Sequence, residues 1–109
     1  MNVEIASSTF ERMRGLLGRR EYPDLLLLTP CNDIHTFGMT RAIDVAFIAS
    51  DGTVLESYRG LGACRRVRCK CAKSTLERIT ENTPWFERGD RVELKRLVKS
   101  SCIEREERK

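Results

Sequence analysis

The segment 43-IDVAFIA-49, followed by the pair Asp51-Gly52 and by 53-TVLESY-58, decides the fold of this chain. The first run is rich in β-branched and aromatic residues, and the second alternates between apolar and polar side chains, as strands do. Asp-Gly is typical of the tight turn that joins two paired strands. The sequence therefore predicts an antiparallel β-hairpin at the centre of the fold.

Further short elements are predicted on both sides of this hairpin. Ser8 and Glu11 have the spacing of a capping box, which begins a helix running through Leu17. A second helix is predicted over Ala72 to Ile79, and strands are predicted at Val3 to Ala6, Leu25 to Leu28, Ile34 to Phe37 and Arg91 to Val98. Arg65 to Cys71 fits an edge strand or a loop. These elements predict an α+β domain with a small, mainly antiparallel, strongly curved sheet or partly closed barrel and two short helices.

Length and composition allow one domain with one core. The chain has 109 residues, of which 40% are hydrophobic and 33% are charged, which is a globular balance. We expect a single domain over residues 1–99 and a frayed, charged tail over residues 100–109. No apolar run approaches the length of a membrane span, and no basic region followed by an apolar stretch opens the chain. The expected location is therefore the cytoplasm, with no membrane partner.

Four blocks of sequence occur in an order that resembles a known family. They are Ala6 with 11-ERMRGLLGR-19, 37-FGMT-40 with 43-IDVAFI-48, 51-DGTV-54, and Leu76-Glu77 with 89-GDRV-92. Over roughly residues 5 to 95 the chain resembles the DUF192 family of small uncharacterised proteins. The family often has Trp where this chain has Gly38. The resemblance implies a DUF192-like fold, and it implies no activity, because the family has no established one.

The loop that enters the hairpin holds the first candidate site. His35 is the only histidine of the chain, and histidine can act as a base, a ligand or a pH sensor. Asp44 stands inside an apolar strand, where a carboxylate must find hydrogen-bond donors. One interpretation is a polar anchor that fixes the loop. A second is a pocket wall in which His35, Thr36, Met39 and Asp44 contact a ligand, and a third is an acid–base pair.

Cysteines form the second candidate site. Cys64, Cys69 and Cys71 lie within eight residues, and Cys31 and Cys102 bring the total to five. Free thiols in a reducing compartment fit an odd count without a signal peptide. A zinc site or a redox thiol pair is the alternative, although the spacing is irregular for zinc. No cofactor is expected under the first interpretation, and zinc is expected under the second.

A basic run is the third candidate. Arg59, Arg65, Arg66, Arg68, Lys70 and Lys73 occur with no acidic residue between Ser57 and Thr75. Such a run can contact the phosphates of a nucleic acid or another acidic partner. It contains no tryptophan, phenylalanine or tyrosine beyond Tyr58 on which bases could stack. A solvated edge strand protected by positive charge is the other interpretation.

No common catalytic motif is present in the sequence. It contains no P-loop, no G-x-G-x-x-G, no G-x-S-x-G and no H-E-x-x-H. The sequence therefore favours a small binding or accessory domain for an unknown small ligand or protein, with a polar pocket near the loop from His35 to Asp44. A metal- or thiol-dependent protein and a nucleic-acid binder remain the alternatives.

Overall fold

A computed structural model describes residues 2–94 and 96 of the chain. It contains seven strands in two sheets and one short helix. In chain order these are β1 (Val3–Ala6), α1 (Thr9–Arg14), β2 (Leu25–Leu28), β3 (Asp33–His35), β4 (Ile43–Ile48), β5 (Val54–Leu61), β6 (Arg66–Arg68) and β7 (Ser74–Ile79). The larger sheet has the order β1-β2-β7-β4-β5, and β3 pairs with β6 in a separate two-stranded sheet. Only the β1–β2 pair is parallel.

The hairpin prediction is confirmed. Strand β4 turns back into β5 at Asp51 and Gly52, and the Asp51 carboxylate accepts a hydrogen bond from the Thr53 amide at 2.9 Å. Gly52 has a φ of +93°, and a Cβ atom there would lie 2.4 Å from the carbonyl oxygen of Val92. Glycine is required at this position because both the backbone angle and the close approach exclude a side chain.

The capping box is also confirmed. Ser8 Oγ accepts from the Glu11 amide at 3.1 Å, and Glu11 Oε1 accepts from the Ser8 amide at 3.3 Å. The helix is shorter than predicted because it ends at Arg14, where Gly15 leaves the helical conformation with a φ of +51°. The chain then crosses the sheet and returns as β2, parallel to β1.

The prediction of a second helix over Ala72 to Ile79 is wrong. Ser74–Ile79 forms strand β7, which lies in the middle of the larger sheet and pairs antiparallel with both β2 and β4. Leucine, glutamate and arginine favour helices locally. Five of the six residues are buried here, and pairing on both sides satisfies their backbone groups. The tertiary context therefore overrides the local preference.

The predicted α+β class, with a strongly curved sheet or partly closed barrel, is wrong for the same reason. The domain is mostly β, and the longest helix in the described part has six residues. The larger sheet is open, since its edge strands β1 and β5 do not pair with each other. In the described part of the predicted final strand, Arg91 forms one bridge with Thr53. Val98, the expected domain boundary at residue 99 and the tail after it lie outside the described residues.

The two faces of the larger sheet pack against different parts of the chain. The face that we call the groove face carries Leu26, Val45 and Phe47, and it is covered by Leu16 and by residues of the smaller sheet such as Ile34. The opposite face carries a second cluster, whose members include Leu27, Ala46, Ile48, Leu76, Val92 and Trp85. No helix in residues 2–94 is long and apolar enough to span a membrane.

Candidate functional site

A groove of about 560 Å³ opens on the groove face of the sheet. One wall is formed by α1 and the chain after it, from Thr9 to Leu17, and the other by Pro30–His35, Phe37, Met39 and Arg66. Ile43 and Glu77 lie at its floor. This volume is within the range of small-molecule sites in proteins.

Glu77 is the unusual residue of this groove. It lies in β7, where its register partners are Leu26 on one side and Val45 on the other, both apolar core residues. Only 4% of its surface is exposed. An acidic side chain so deeply buried is normally paired with a cation or bonded to several donors.

No described residue forms a hydrogen bond or ion pair with the Glu77 carboxylate. Every fully shielded side-chain nitrogen or oxygen in the described part of the chain has a hydrogen-bond partner. The oxygens of Glu77 must therefore be reached from the groove. Burial raises the pKa of Glu77 to about 7, although the positive charge of Arg19 acts in the opposite direction. The carboxyl group thus exchanges its proton near neutral pH.

Arg19, the cation that acts on Glu77, is already bound elsewhere. Its Nε donates to the carbonyl oxygen of Gly15 at 3.0 Å, and its Nη1 forms an ion pair with Glu4. Glu4 is the register partner of Leu26, which places it in line with Glu77 across the sheet. Arg19 therefore neutralises Glu4, and Glu77 has no counter-ion of its own among the described residues.

Gly15 lets the backbone after α1 approach the buried carboxylate. A Cβ atom on Gly15 would lie 3.3 Å from Glu77 Oε2, and the φ of +51° at Gly15 disfavours any side chain. The helix ends over the carboxylate at this residue.

The rim of the groove is apolar and unusually exposed. Met13 is 71% exposed and Phe37 is 52% exposed, and they are the only large hydrophobic side chains of such exposure in the described part of the chain. Phe37 stacks on the imidazole of His35, with ring centroids 5.2 Å apart. Met39 also lines the groove and packs against the core below.

The structure separates the four residues that the sequence predicted as a binding set. His35 and Met39 line the groove. Thr36 is fully buried, and its hydroxyl donates to the Gly62 carbonyl at 2.7 Å and accepts from the Arg65 amide at 2.9 Å. Thr36 therefore anchors the loop and does not line the groove.

Asp44 lies on the opposite face of the sheet. It is fully buried, and its Oδ1 accepts from the Gly60 amide at 2.8 Å and from the Thr80 hydroxyl at 2.9 Å. Its Oδ2 accepts from Arg78 Nε at 2.8 Å. The structure fits the polar-anchor interpretation at Asp44, and it does not bring Asp44 and His35 together as a ligand pocket or an acid–base pair.

The three clustered cysteines are not gathered into a ligand set. Cys64 and Cys71 are exposed, whereas Cys69 is buried, and burial raises the pKa of the Cys69 thiol. No group of three or more His, Cys, Asp or Glu side chains that could hold a metal ion occurs in residues 2–94. Cys102 lies outside the described residues. The zinc alternative stays a prediction that elemental analysis can test.

The basic run lies on the surface. Arg59, Arg65, Arg66, Arg68, Lys70 and Lys73 are all exposed. Arg66 and Arg68 belong to β6 in the smaller sheet, as the edge-strand interpretation expected. Arg66 is bound to Asp33, with Nε donating to Oδ1 at 3.0 Å.

Sequence reasoning missed Glu77 because β7 was predicted as a helix, on which a glutamate is unremarkable. One signal could have pointed to it. The Leu76-Glu77 pair belongs to the blocks that resemble DUF192. In a central strand, such a carboxylate must lie in the core.

The fold and groove define a small, mostly β domain with a ligand-sized cleft over a buried acid. The chain belongs to the DUF192 family, described as Uncharacterized ACR, whose model matches residues 1–93. No functionally curated protein matches the sequence.

Two solved structures share the fold. A protein of unknown function from Novosphingobium aromaticivorans DSM 12444 has a TM-score of 0.63 and 17% identity, covering 72% of this chain and 62% of its own. A candidate transcription regulator from Sinorhizobium meliloti 1021 has a TM-score of 0.62 and 22% identity, covering 72% of this chain and 67% of its own. This chain thus spans less than two thirds of the Novosphingobium protein. At these identities, the likeness shows the fold alone.

Proposed function

We propose that this domain binds a small organic ligand in the groove and that the ligand donates a hydrogen bond to Glu77. The observation that carries the proposal is a carboxylate that is 4% exposed, faces the groove and has no partner among the described residues. A buried acid without a partner lowers the stability of the fold. Perturbed acids of this kind cluster at functional sites, where a ligand supplies the missing contact.

The rest of the groove supports binding more than catalysis. Asp33, the other carboxylate in its lining, is bound to Arg66, and the hydrogen bond from Arg66 holds the pKa of Asp33 below its usual value. His35 lies at the exposed rim and accepts from the Phe37 amide at 3.3 Å. Catalysis by acid and base needs two groups that face one reacting atom, and Glu77 has no such companion among the described residues.

A ligand screen on matched variants tests this proposal. We expect compounds that raise the melting temperature of the wild-type protein to lose this effect in Glu77→Gln, because the carboxylate acceptor is gone. Glu21→Gln is the matched control, since Glu21 is exposed and lies outside the groove lining. Amide shifts of Gly15, Leu17 and Met39 on binding would place each compound in the groove. Compounds that bind Glu77→Gln as tightly as the wild type would contradict the proposal.

A second candidate is an acidic partner at the basic run. It is favoured by the exposure of Arg65, Arg68, Lys70 and Lys73, none of which forms an ion pair with another described residue. Retention on heparin should then fall steeply with salt, and replacing these four residues by glutamine should abolish it. Equal retention of the quadruple variant would remove this candidate.

A further inference from the structure

We infer that the groove takes a zwitterion with an apolar side chain, whose ammonium group pairs with Glu77 and whose carboxylate lies near Arg12 and Arg14. Such a zwitterion can be a free amino acid or a short peptide. The inference rests on the proposed function and names the chemical class of its ligand.

The positive charge of the ligand is matched by Glu77. Among the described residues, the cation that acts on Glu77 is Arg19, which is bound to Glu4 and to the Gly15 carbonyl. An ammonium group offers three donors and a full charge in a small volume. Charge-assisted hydrogen bonds of this kind are about twice as strong as neutral ones. The ammonium thus supplies both the donors and the counter-ion that the buried carboxylate lacks.

The negative charge of the ligand is matched by the groove wall above Glu77. Arg12 and Arg14 line the groove on α1, directly before Gly15. Arg12 Nη1 donates to the Pro30 carbonyl at 2.8 Å, and Arg14 Nε donates to the Leu17 carbonyl at 3.4 Å. Neither arginine forms an ion pair with another described residue. A purely cationic ligand would meet their repulsion, whereas a zwitterion matches a negative floor and a positive wall.

The apolar part of the ligand has a matching surface. Met13 and Phe37 extend from opposite walls and are largely exposed, and Leu17 and Met39 line the groove between them. Methionine adapts its shape to different ligands. The groove therefore favours an aliphatic or aromatic side chain without selecting one shape.

Binding of the ammonium should release a proton, because Glu77 must ionise to pair with it. Among the described residues, the charged and titratable groups around Glu77 are Glu4 on β1, Arg12 and Arg14 on α1, Arg19 after α1, Cys31 before β3, Asp33 and His35 on β3 and Arg66 on β6.

Isothermal titration calorimetry with four probes tests the inference. The probes are L-phenylalanine, L-leucyl-L-phenylalanine, its N-acetyl derivative and its C-terminal amide. We expect the N-acetyl derivative to bind at least about tenfold more weakly than the free dipeptide, because it lacks the ammonium group. The amide should lose several-fold, and Arg14→Gln should cause a similar loss for the free dipeptide only. The first two probes distinguish an amino acid from a peptide.

Proton release gives a second readout. With a pKa of about 7, roughly nine-tenths of Glu77 is protonated at pH 6, so ligand binding should release nearly one proton. Titrations in buffers of different ionisation enthalpy measure this release. At pH 8 little of Glu77 is protonated, and the α-amino group of a dipeptide, with a pKa of about 8, is itself partly deprotonated, so the release should vanish or give way to proton uptake. The release at pH 6 should disappear in Glu77→Gln and persist in Glu21→Gln.

The outcomes separate the inference from the proposed function. Equal affinity for the free and N-acetylated dipeptides, or no binding of any zwitterion, would overturn the inference. If compounds from the ligand screen still depended on Glu77, the proposed function would stand and only the ligand class would be wrong. If no compound depended on Glu77, both would fall.

Discussion

Two buried carboxylates lie on neighbouring strands of the same sheet, and their surroundings are opposite. Asp44 on β4 points to one face, where it accepts three hydrogen bonds, one of them from Arg78, its register partner. Glu77 on β7 points to the other face and has no partner among the described residues. Burial alone therefore does not distinguish the two acids. They differ in whether the described residues provide hydrogen-bond donors to the carboxylate.

Removing the ion pair between Asp44 and Arg78 should cause the largest loss of stability. Arg78 is also fixed by the Thr83 carbonyl at 2.9 Å and by the indole of Trp85, 4.8 Å from its centroid. Asp44→Ala would leave this buried guanidinium with only the longer ion pair to the exposed Glu81, at 3.4 Å, and removing the main partner of a buried charge costs about 3–5 kcal/mol. Urea unfolding at pH 7 measures the loss.

The ion pair between Asp33 and Arg66 is the control for that measurement. Both side chains are partly exposed, and pairs of this kind contribute less than about 1 kcal/mol. Asp33→Ala should therefore cost much less than Asp44→Ala. Equal losses would mean that the contacts of Asp44 stabilise the fold no more than the ion pair between Asp33 and Arg66.

Glu77 should have the next largest effect on the free energy of unfolding. Its sign is opposite, because the ionised carboxylate destabilises the fold. Its pKa is raised from 4.5 to about 7 in the folded state, so the folded protein binds more protons than the unfolded chain between these values. The contribution of Glu77 to stability is therefore largest below pH 4.5 and falls as pH rises through about 7. The loss amounts to about 3 kcal/mol.

The Glu77→Gln variant makes this effect measurable. It lacks the titrating group, so its unfolding free energy relative to the wild type should rise by about 3 kcal/mol between pH 4 and pH 8. Urea unfolding curves at several pH values provide the comparison, with Glu21→Gln as the control. A difference that is independent of pH would show that Glu77 is paired in solution.

Gly15→Ala should have a smaller effect on stability, and it should also affect the groove. Alanine at the backbone angles of Gly15, a φ of +51° and a ψ of −125°, costs about 1–3 kcal/mol because residues other than glycine rarely adopt them, and its Cβ would press on Glu77 Oε2 from 3.3 Å. Gly18→Ala is the matched control, because Gly18 also has a positive φ, +70°, but nothing lies within 4 Å of its Cβ position. Ligand affinity should fall in Gly15→Ala and not in Gly18→Ala.

The sequence predicted local features of the fold better than its long-range pairing. The Asp51-Gly52 turn and the capping box at Ser8 and Glu11 were predictable because their chemistry is contained in a few consecutive residues. The buried Asp44 was predictable because it interrupts an apolar run. Strand β7 was not predictable, because its pairing with β2 and β4 involves residues about 30 to 50 positions away. Glu77 and the groove were missed with it.

Met13 should give the smallest effect on stability and a clear effect on binding. Its side chain is 71% exposed at the rim of the groove, so Met13→Ser removes little buried surface and should change the unfolding free energy by less than about 0.5 kcal/mol. The same change removes apolar contact with the ligand, and affinity should fall several-fold. Calorimetric titration with L-leucyl-L-phenylalanine measures it. Unchanged affinity would mean that the ligand contacts only the floor of the groove around Glu77. The difference between the two faces of the sheet would then depend on the Glu77 carboxylate alone.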